Sequence, residues 1–197
     1  PFRFSDSEWL RFFKTELSNS NDGIEDKTRK IQEEGRIAFK TDDGLTKNIT
    51  LLEKQNIHAN KLQLINQYKN DAGEHDTRYA VTILVNGFPM VHIELKRRGV
   101  AIKEAFNQIN RYGRESFWAG SGLYDYVQIF GISNGTNTKY YSNTTRYNHI
   151  KDNNGSTKKK EKTSNSFEFT SFWADASNKI IPDLIDFTKT FFSKHTL

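Results

Sequence analysis

Glu94 and Lys96 stand two residues apart in the run Ile93-Glu94-Leu95-Lys96. On a strand, side chains two apart project from the same face, so an acid and a base would share one patch. A carboxylate there can hold Mg²⁺, a hard ion that takes oxygen ligands. A lysine beside it can orient or deprotonate an attacking water and balance charge on a phosphate. The triplet alone says little, because Glu-x-Lys arises by chance in most charged chains and a solvated strand face is its ordinary explanation. Gln108 and Tyr112 add to it: four apart, they fall on one face of the helix expected to follow. His92 shares the parity of Glu94, although a lone strand histidine is more often structural than a ligand. His58, His75, His149 and His195 make no ligand pattern, and no zinc spacing is present. The chain has no cysteine, which excludes disulfides and cysteine-ligated zinc. No Gly-rich loop ending in Gly-Lys-Ser/Thr exists, so this segment carries no ATP motor.

The elements that must position these residues can be read from periodicity. Tyr79 to Val85 is the strongest strand signal, with the β-branched Val81, Ile83 and Val85 on one face. Asn86-Gly87 is a hairpin turn signal, and Met90 to Lys96 is the return strand. There Val91, Ile93 and Leu95 point one way while His92, Glu94 and Lys96 point the other. A helix over about Val100 to Phe117 carries an apolar stripe of Ile102, Phe106 and Ile109, and a second stripe of Ala101, Ala105, Gln108 and Tyr112. Tyr126 to Ser133 reads as a buried central strand. Asn134-Gly135 turns the chain, and Thr138 to Ser142 returns.

Towards the N-terminus, Ser5 to Leu17 reads as a helix with Trp9, Phe12, Phe13 and Leu17 on one face, and Ser5 with Glu8 as a capping box. The charged stretch Gly23 to Arg36 has no clear pattern. Asp42-Asp43-Gly44 is a turn, Ile49 to Leu52 a short strand, and Leu62 to Tyr68 another strand. Residues 149–166 are polar and include Lys158-Lys159-Lys160-Glu161-Lys162, as a flexible surface loop would. Pro182 to Lys194 reads as a closing amphipathic helix with Leu184, Phe187 and Phe191 inward and Pro182 in its first turn. This order of helices and strands predicts an α/β fold, a mixed β-sheet flanked by helices.

At 197 residues the chain is long enough to bury a core, and a 13% aromatic content is that of a folded protein. A net charge of +5 favours an anionic partner, nucleic acid being the commonest. No apolar run approaches the ~20 residues of a membrane span. The N-terminal Pro-Phe-Arg-Phe is not a signal peptide, and the chain reads as a fragment of something larger.

Three runs carry a resemblance: Asn86-Gly87-Phe88-Pro89-Met90-Val91, then Ile93-Glu94-Leu95-Lys96-Arg97-Arg98-Gly99, then Ala105-Phe106-Asn107-Gln108-Ile109-Asn110-Arg111-Tyr112. Together they resemble the nuclease domain of the restriction (motor) subunit of type I restriction–modification enzymes. That domain belongs to the PD-(D/E)xK superfamily, in the RecB-like branch whose added motif is Gln-x-x-x-Tyr. The resemblance runs from about Asp22 through the Phe-Gly-Ile-Ser-Asn-Gly-Thr stretch at 130–136 to the last residues. It implies a restriction-endonuclease-like α/β core and one endonuclease domain over 1–197. It also implies Mg²⁺-dependent hydrolysis of phosphodiesters in double-stranded DNA. Glu94 would be the metal ligand and Lys96 the catalytic lysine, with Gln108 and Tyr112 positioning DNA and the catalytic groups. Arg97, Arg98 and Lys103, at the rim, could contact DNA phosphates. ATP would be used only by motor domains elsewhere in the subunit. The other implied partners are the modification and specificity subunits, in the cytoplasm of a prokaryote. An acidic residue on a helix upstream of this segment would complete the family's site.

One position departs from the family pattern. Where the family carries an Asp on the preceding strand, this chain has Ala80. Alanine cannot ligate a metal, and an Mg²⁺ site with few protein oxygens suffers from losing one. An inactivating substitution, a naturally degenerate domain, or replacement by Asp76 or Glu74 would each account for it. A non-catalytic DNA-binding or assembly module docking on the motor domains is the alternative function. A surface Glu-x-Lys strand in an unrelated α/β protein also stays open, provided that the Gln-x-x-x-Tyr helix does not pack beside the hairpin. Parity offers a check. A plain two-residue turn at Asn86-Gly87 would set residue 80 opposite Ile93, on the wrong face. A three-residue loop, or a bulge of equal effect, would set it opposite Glu94, and Pro89 makes such an irregularity reasonable.

Overall fold

The computed structural model describes residues 2–70, 77–115, 122–148 and 167–193. Asp76, Glu74, the polar stretch 149–166 and three of the five histidines (His75, His149 and His195) lie outside the described residues. The chain forms an α/β structure with two sheets. A two-stranded antiparallel sheet pairs β1 (Arg36–Lys40) with β2 (Thr46–Thr50). A five-stranded mixed sheet has the order β3 (Leu62–Asn70), β4 (Thr77–Val85), β5 (Phe88–Leu95), β6 (Ile129–Ser133), β7 (Thr138–Ser142). All neighbours are antiparallel except β5 and β6, which run parallel. A parallel pair needs a crossover, and the long helix α3 (Lys103–Glu115) supplies it.

α1 (Asp6–Phe12) starts as its sequence predicts. Ser5 Oγ accepts the Glu8 N–H and Glu8 accepts the Ser5 N–H, completing the capping box. Glu8 also accepts the backbone N–H of Asp42 at 2.9 Å, which ties the helix to the β1–β2 turn. The helix continues as a π-helical turn, Phe13–Leu17. Phe12 and Leu17 are buried as expected, but Trp9 is 46% exposed, at the edge of the apolar face rather than within it. The charged stretch without a pattern forms α2 (Ile24–Arg29) and a second π-helical turn, Lys30–Glu34, which Gly35 ends in the left-handed region at φ 62°. The N-terminal elements close on a cluster of Phe12, Leu17, Ile31, Ile37, Phe39 and Leu51, joined to the main sheet through Phe88 and Tyr126.

Backbone N–H groups of Ser5 and Asp42 hold the Glu8 carboxyl below its ordinary value of 4.5. A carboxylate depressed in the folded state contributes stability above its unfolded pKa and loses it as pH falls through the folded one. Urea midpoints of the parent and Glu8→Gln should therefore differ at neutral pH and converge in acid. A difference that stays constant down to pH ~3 would show that the charge of Glu8 has no part in it.

Further expectations need correction, and the short strand expected over Ile49 to Leu52 lies instead at Thr46–Thr50. The strand expected from Tyr126 to Ser133 begins only at Ile129, because Leu123–Tyr126 forms a 3₁₀ turn. Tyr126 is buried against Phe88 and donates its hydroxyl hydrogen to the Leu17 carbonyl instead of joining the ladder. Ala101 is exposed and precedes α3, so it takes no part in that helix's second stripe. The closing helix α5 (Leu184–Phe191) is capped by Asp183, whose side chain accepts the Ile185 and Asp186 N–H groups, which leaves Pro182 outside the first turn.

The main sheet is covered on both faces over its β6–β7 half. On one face α3 lays Phe106, Ile109 and Tyr112 against Phe130, Ile132 and Tyr141. On the other, Tyr140 meets Trp173, Phe187 and Phe191. A short helix, α4 (143–148), follows β7. No helix among the described residues is long and apolar enough to cross a membrane.

Candidate active site

The hairpin β4–β5 sets the geometry. Asn86 and Gly87 both have positive φ, 51° and 88°, the two-residue type I′ turn that asparagine and glycine favour. The Asn86 side chain fixes the turn by donating to the carbonyl of Leu51 and accepting from the N–H of Lys61. Val85 pairs with Phe88 and Leu84 with Pro89, but Ile83 then pairs with Val91, so Met90 is an extra residue in β5. Past this bulge Thr82 faces His92 and Val81 faces Ile93. Continued by one residue, the register sets Ala80 opposite Glu94. The parity that a paired site requires is thus reached through a bulge rather than a longer loop.

β5 and β6 are in parallel register, His92 with Phe130 and Glu94 with Ile132, and Phe130 pairs onward with Tyr141. Ala80, Thr82, His92 and Glu94 therefore lie on the sheet face that α3 covers. Burial there decides the chemistry. Glu94 is 3% exposed, and its Oε2 has no hydrogen-bond partner. Its Oε1 lies 3.5 Å from Lys96 Nζ, at the more open end of the row. Lys96 Nζ donates to Gln108 Oε1, and Gln108 Nε2 donates to the Tyr112 hydroxyl. Carboxylate, ammonium, amide and phenol form one connected chain from strand to helix. Since Lys96 bonds to Gln108, the helix does pack beside the hairpin, which removes the unrelated-surface-strand alternative.

Position 80 contributes a methyl group where a second carboxylate would complete a pair. Among the described residues no group of three or more His, Asp or Glu could hold a metal. Glu94 is a buried carboxylate, the kind of oxygen donor that a hard cation takes. As it stands, the row Ala80, Thr82, His92 and Glu94 holds one carboxylate.

Arg97, Arg98 and Lys103 are exposed on the loop and helix start beyond β5. The Arg98 guanidinium donates from Nε to the carbonyl of Gly135, and its stem lies where a Cβ on Gly135 would be, 3.1 Å from Cγ. Asn134 Nδ2 donates to the Val100 carbonyl, clasping this loop to the β6–β7 turn. The polar contacts among these three candidates thus include one that fixes a side chain in place, that of Arg98.

Sequence reasoning missed the surroundings of His92. The ring is fully buried, edge-on to Tyr112, Tyr124 and Phe130 at centroid distances of 6.1–6.3 Å. Thr82 Oγ1 lies 3.2 Å from its Nδ1 and 3.4 Å from the Tyr124 hydroxyl. Strand parity from Ala80 could have pointed to Thr82; nothing local pointed to Tyr124. Also missed was a buried ion pair: Lys27 Nζ lies 3.1 Å from Asp125 Oδ2 and donates to the Gly122 carbonyl.

The profile of the family described as "Type I restriction enzyme R protein N terminus" matches residues 3–149. The chain is 50% identical over 194 residues to the "Type I restriction enzyme EcoprrI endonuclease subunit" of Escherichia coli, covering 98% of this chain and 57% of that protein. It is 40% identical over 156 residues to the "Type I restriction enzyme SsaAORF53P endonuclease subunit" of Staphylococcus saprophyticus, covering 79% of this chain and 14% of that one. A Staphylococcus aureus endonuclease subunit is 42% identical over 108 residues, 55% of this chain and 11% of that one. The chain spans about half the length of the first of these relatives and a much smaller part of the others.

Proposed function

Since this chain belongs to the family of type I restriction enzyme R protein N-termini, we propose that it is a PD-(D/E)xK endonuclease domain, built for Mg²⁺-dependent hydrolysis of double-stranded DNA and silenced in this chain by Ala80. The observation that carries the reading is the hairpin register. Continued one residue past the Val81–Ile93 pair, it sets residue 80 across from a buried Glu94 whose neighbour on the same face, Lys96, is tied to Gln108 and Tyr112. With an Asp at position 80, two carboxylates would face each other beside one ammonium.

In that form Glu94 and the restored carboxylate would hold the ion, which supplies Lewis-acid charge at the scissile phosphate when bound. Lys96 sits where an ammonium can orient a water and offset charge on a phosphate oxygen. Gln108 restricts Lys96 by accepting from Nζ, and Tyr112 anchors Gln108 from a buried position. Arg97, Arg98 and Lys103 would hold backbone phosphates; such contacts position DNA without reading its sequence. The motor domains, the modification and specificity subunits, and the cytoplasm of a prokaryote belong to the same proposal.

The second reading, a binding or assembly module that keeps the fold without the chemistry, is favoured by Ala80 itself. Plasmid nicking by the intact protein in its complex, with and without Ala80→Asp, separates the two. Mg²⁺-dependent cutting by the Ala80→Asp protein alone supports the nuclease. Salt-sensitive DNA binding with no cutting by either form supports the module.

A further inference from the structure

His92 is a fully buried polar ring between two parts of the candidate site. Burying an imidazole without partners is costly. Its Nδ1 side is met by Thr82, directly across the ladder, and Thr82 is met in turn by Tyr124. When Tyr124 donates to Thr82 and Thr82 donates to Nδ1, the ring's own N–H is at Nε2, because the bond at one nitrogen sets the tautomer at the other. Nε2 lies 3.8 Å from Glu94 Oε2, the carboxylate oxygen that has no hydrogen-bond partner. The two oxygens of Glu94 thus face different groups: Oε2 faces the ring and Oε1 faces Lys96. For a hydrogen bond this 3.8 Å separation would have to shorten to about 3 Å, with Oε1 still directed to Lys96.

We propose that His92 is a positioning residue for Glu94: its Nε2–H holds the inner carboxylate oxygen from behind, and Thr82 fixes the tautomer that makes this possible. The inference rests on the nuclease reading of Glu94. Ligating carboxylates are commonly held by such outer partners, whose loss costs about 10–100-fold in metal affinity. The same ring packs edge-on against Tyr112, so the carboxylate and the Gln108–Tyr112 pair share one rigid support.

The test uses the intact protein carrying Ala80→Asp as parent, with Mn²⁺ binding followed by electron paramagnetic resonance. The protein with Ala80 retained gives the baseline. His92→Phe keeps an aromatic ring but removes the N–H; it should weaken Mn²⁺ binding by about 10–100-fold. The metal concentration for half-maximal nicking should rise by a similar factor. His92→Gln, whose amide N–H reaches the Nε2 position, should restore affinity to near the parent's. Thr82→Val should weaken it in the same direction by less. A purely structural histidine would instead lower the melting temperature in both His92 variants and leave Mn²⁺ affinity unmoved. Equal affinity in the parent and His92→Phe overturns the inference. If His92→Phe fails to fold, unchanged affinity in Thr82→Val overturns it. A parent that binds no more Mn²⁺ than the protein with Ala80 overturns the site reading itself and takes the role of His92 with it.

Discussion

On the proposed nuclease reading, Glu94→Gln in the protein carrying Ala80→Asp should lower Mg²⁺-dependent DNA cleavage by at least ~10³-fold, with Lys96→Met close behind. A bound metal contributes several kcal/mol of charge stabilisation, and each ~1.4 kcal/mol is a factor of ten. Glutamine keeps the shape of Glu94 and one oxygen, so the change reports the missing charge. Burial makes the loss large. Glu94 is 3% exposed under α3, and among the described residues no acidic cluster stands near to take over. Lys96 is the one ammonium within 4 Å of that carboxylate among the described residues, and methionine keeps its stem without its charge. Both variants should bind DNA as the parent does in the absence of metal, since neither position belongs to the exposed basic rim. Cleavage by Glu94→Gln within about tenfold of its parent would remove Glu94 from the chemistry.

Lys27→Met alone destabilises the fold by about 3–5 kcal/mol, the usual result of leaving one charge of a buried pair uncompensated. Lys27 is fully buried and Asp125 is 3% exposed. Burial already pushes the Asp125 carboxyl above its ordinary value of 3.8, against the pull of Lys27 and, more weakly, of Arg146. Removing Lys27 takes away the strongest of those opposing influences, so the carboxyl rises further. An acid raised in the folded state is stabilising while protonated and loses that contribution as pH rises through the folded value. The deficit of Lys27→Met should therefore shrink in mild acid and grow towards neutrality. Pairing it with Asp125→Leu should recover most of the loss at all pH values. Urea denaturation across pH, read at a constant slope, checks all of this; a deficit below ~1 kcal/mol at neutral pH would mean that the pair is not a support of the fold.

How much of this was legible depended on whether the signal was local. Ser5 and Glu8 announce a helix start at a spacing of three, and the structure completes that box. Asn86-Gly87 announces the turn, and α3 follows from Phe106 and Ile109. The ion pair of Lys27 with Asp125 joins residues about a hundred positions apart, and Lys27 lies in a charged stretch whose other charged residues are mostly exposed. The run from Tyr126 misled because periodicity cannot separate a buried strand from another buried apolar segment. Tyr126 answers to the N-terminal helices through the Leu17 carbonyl, while only Ile129 onward answers to the sheet. β1 had a pattern, Ile37 and Phe39 alternating with Arg36, Ala38 and Lys40, but five residues beside a charged stretch were too few to stand out. For the candidate site, residue types and strand parity brought Glu94 and Lys96 together. The placing of residue 80 needed the family resemblance and a condition on the turn, since no single residue there declares a bulge.

The extra residue at Met90 makes turn length and strand length a coupled pair. Deleting Met90 would rotate Glu94 and Lys96 away from α3, and adding one residue at Asn86-Gly87 would do the same from the other side; made together, the two changes cancel. A homologue with one more residue in the turn and none in the bulge would carry the same site while forcing two gaps in a position-by-position alignment. What the facing of residue 80 and Glu94 asks of this hairpin is therefore odd or even spacing, counted along the chain between them, rather than any particular residue in that interval.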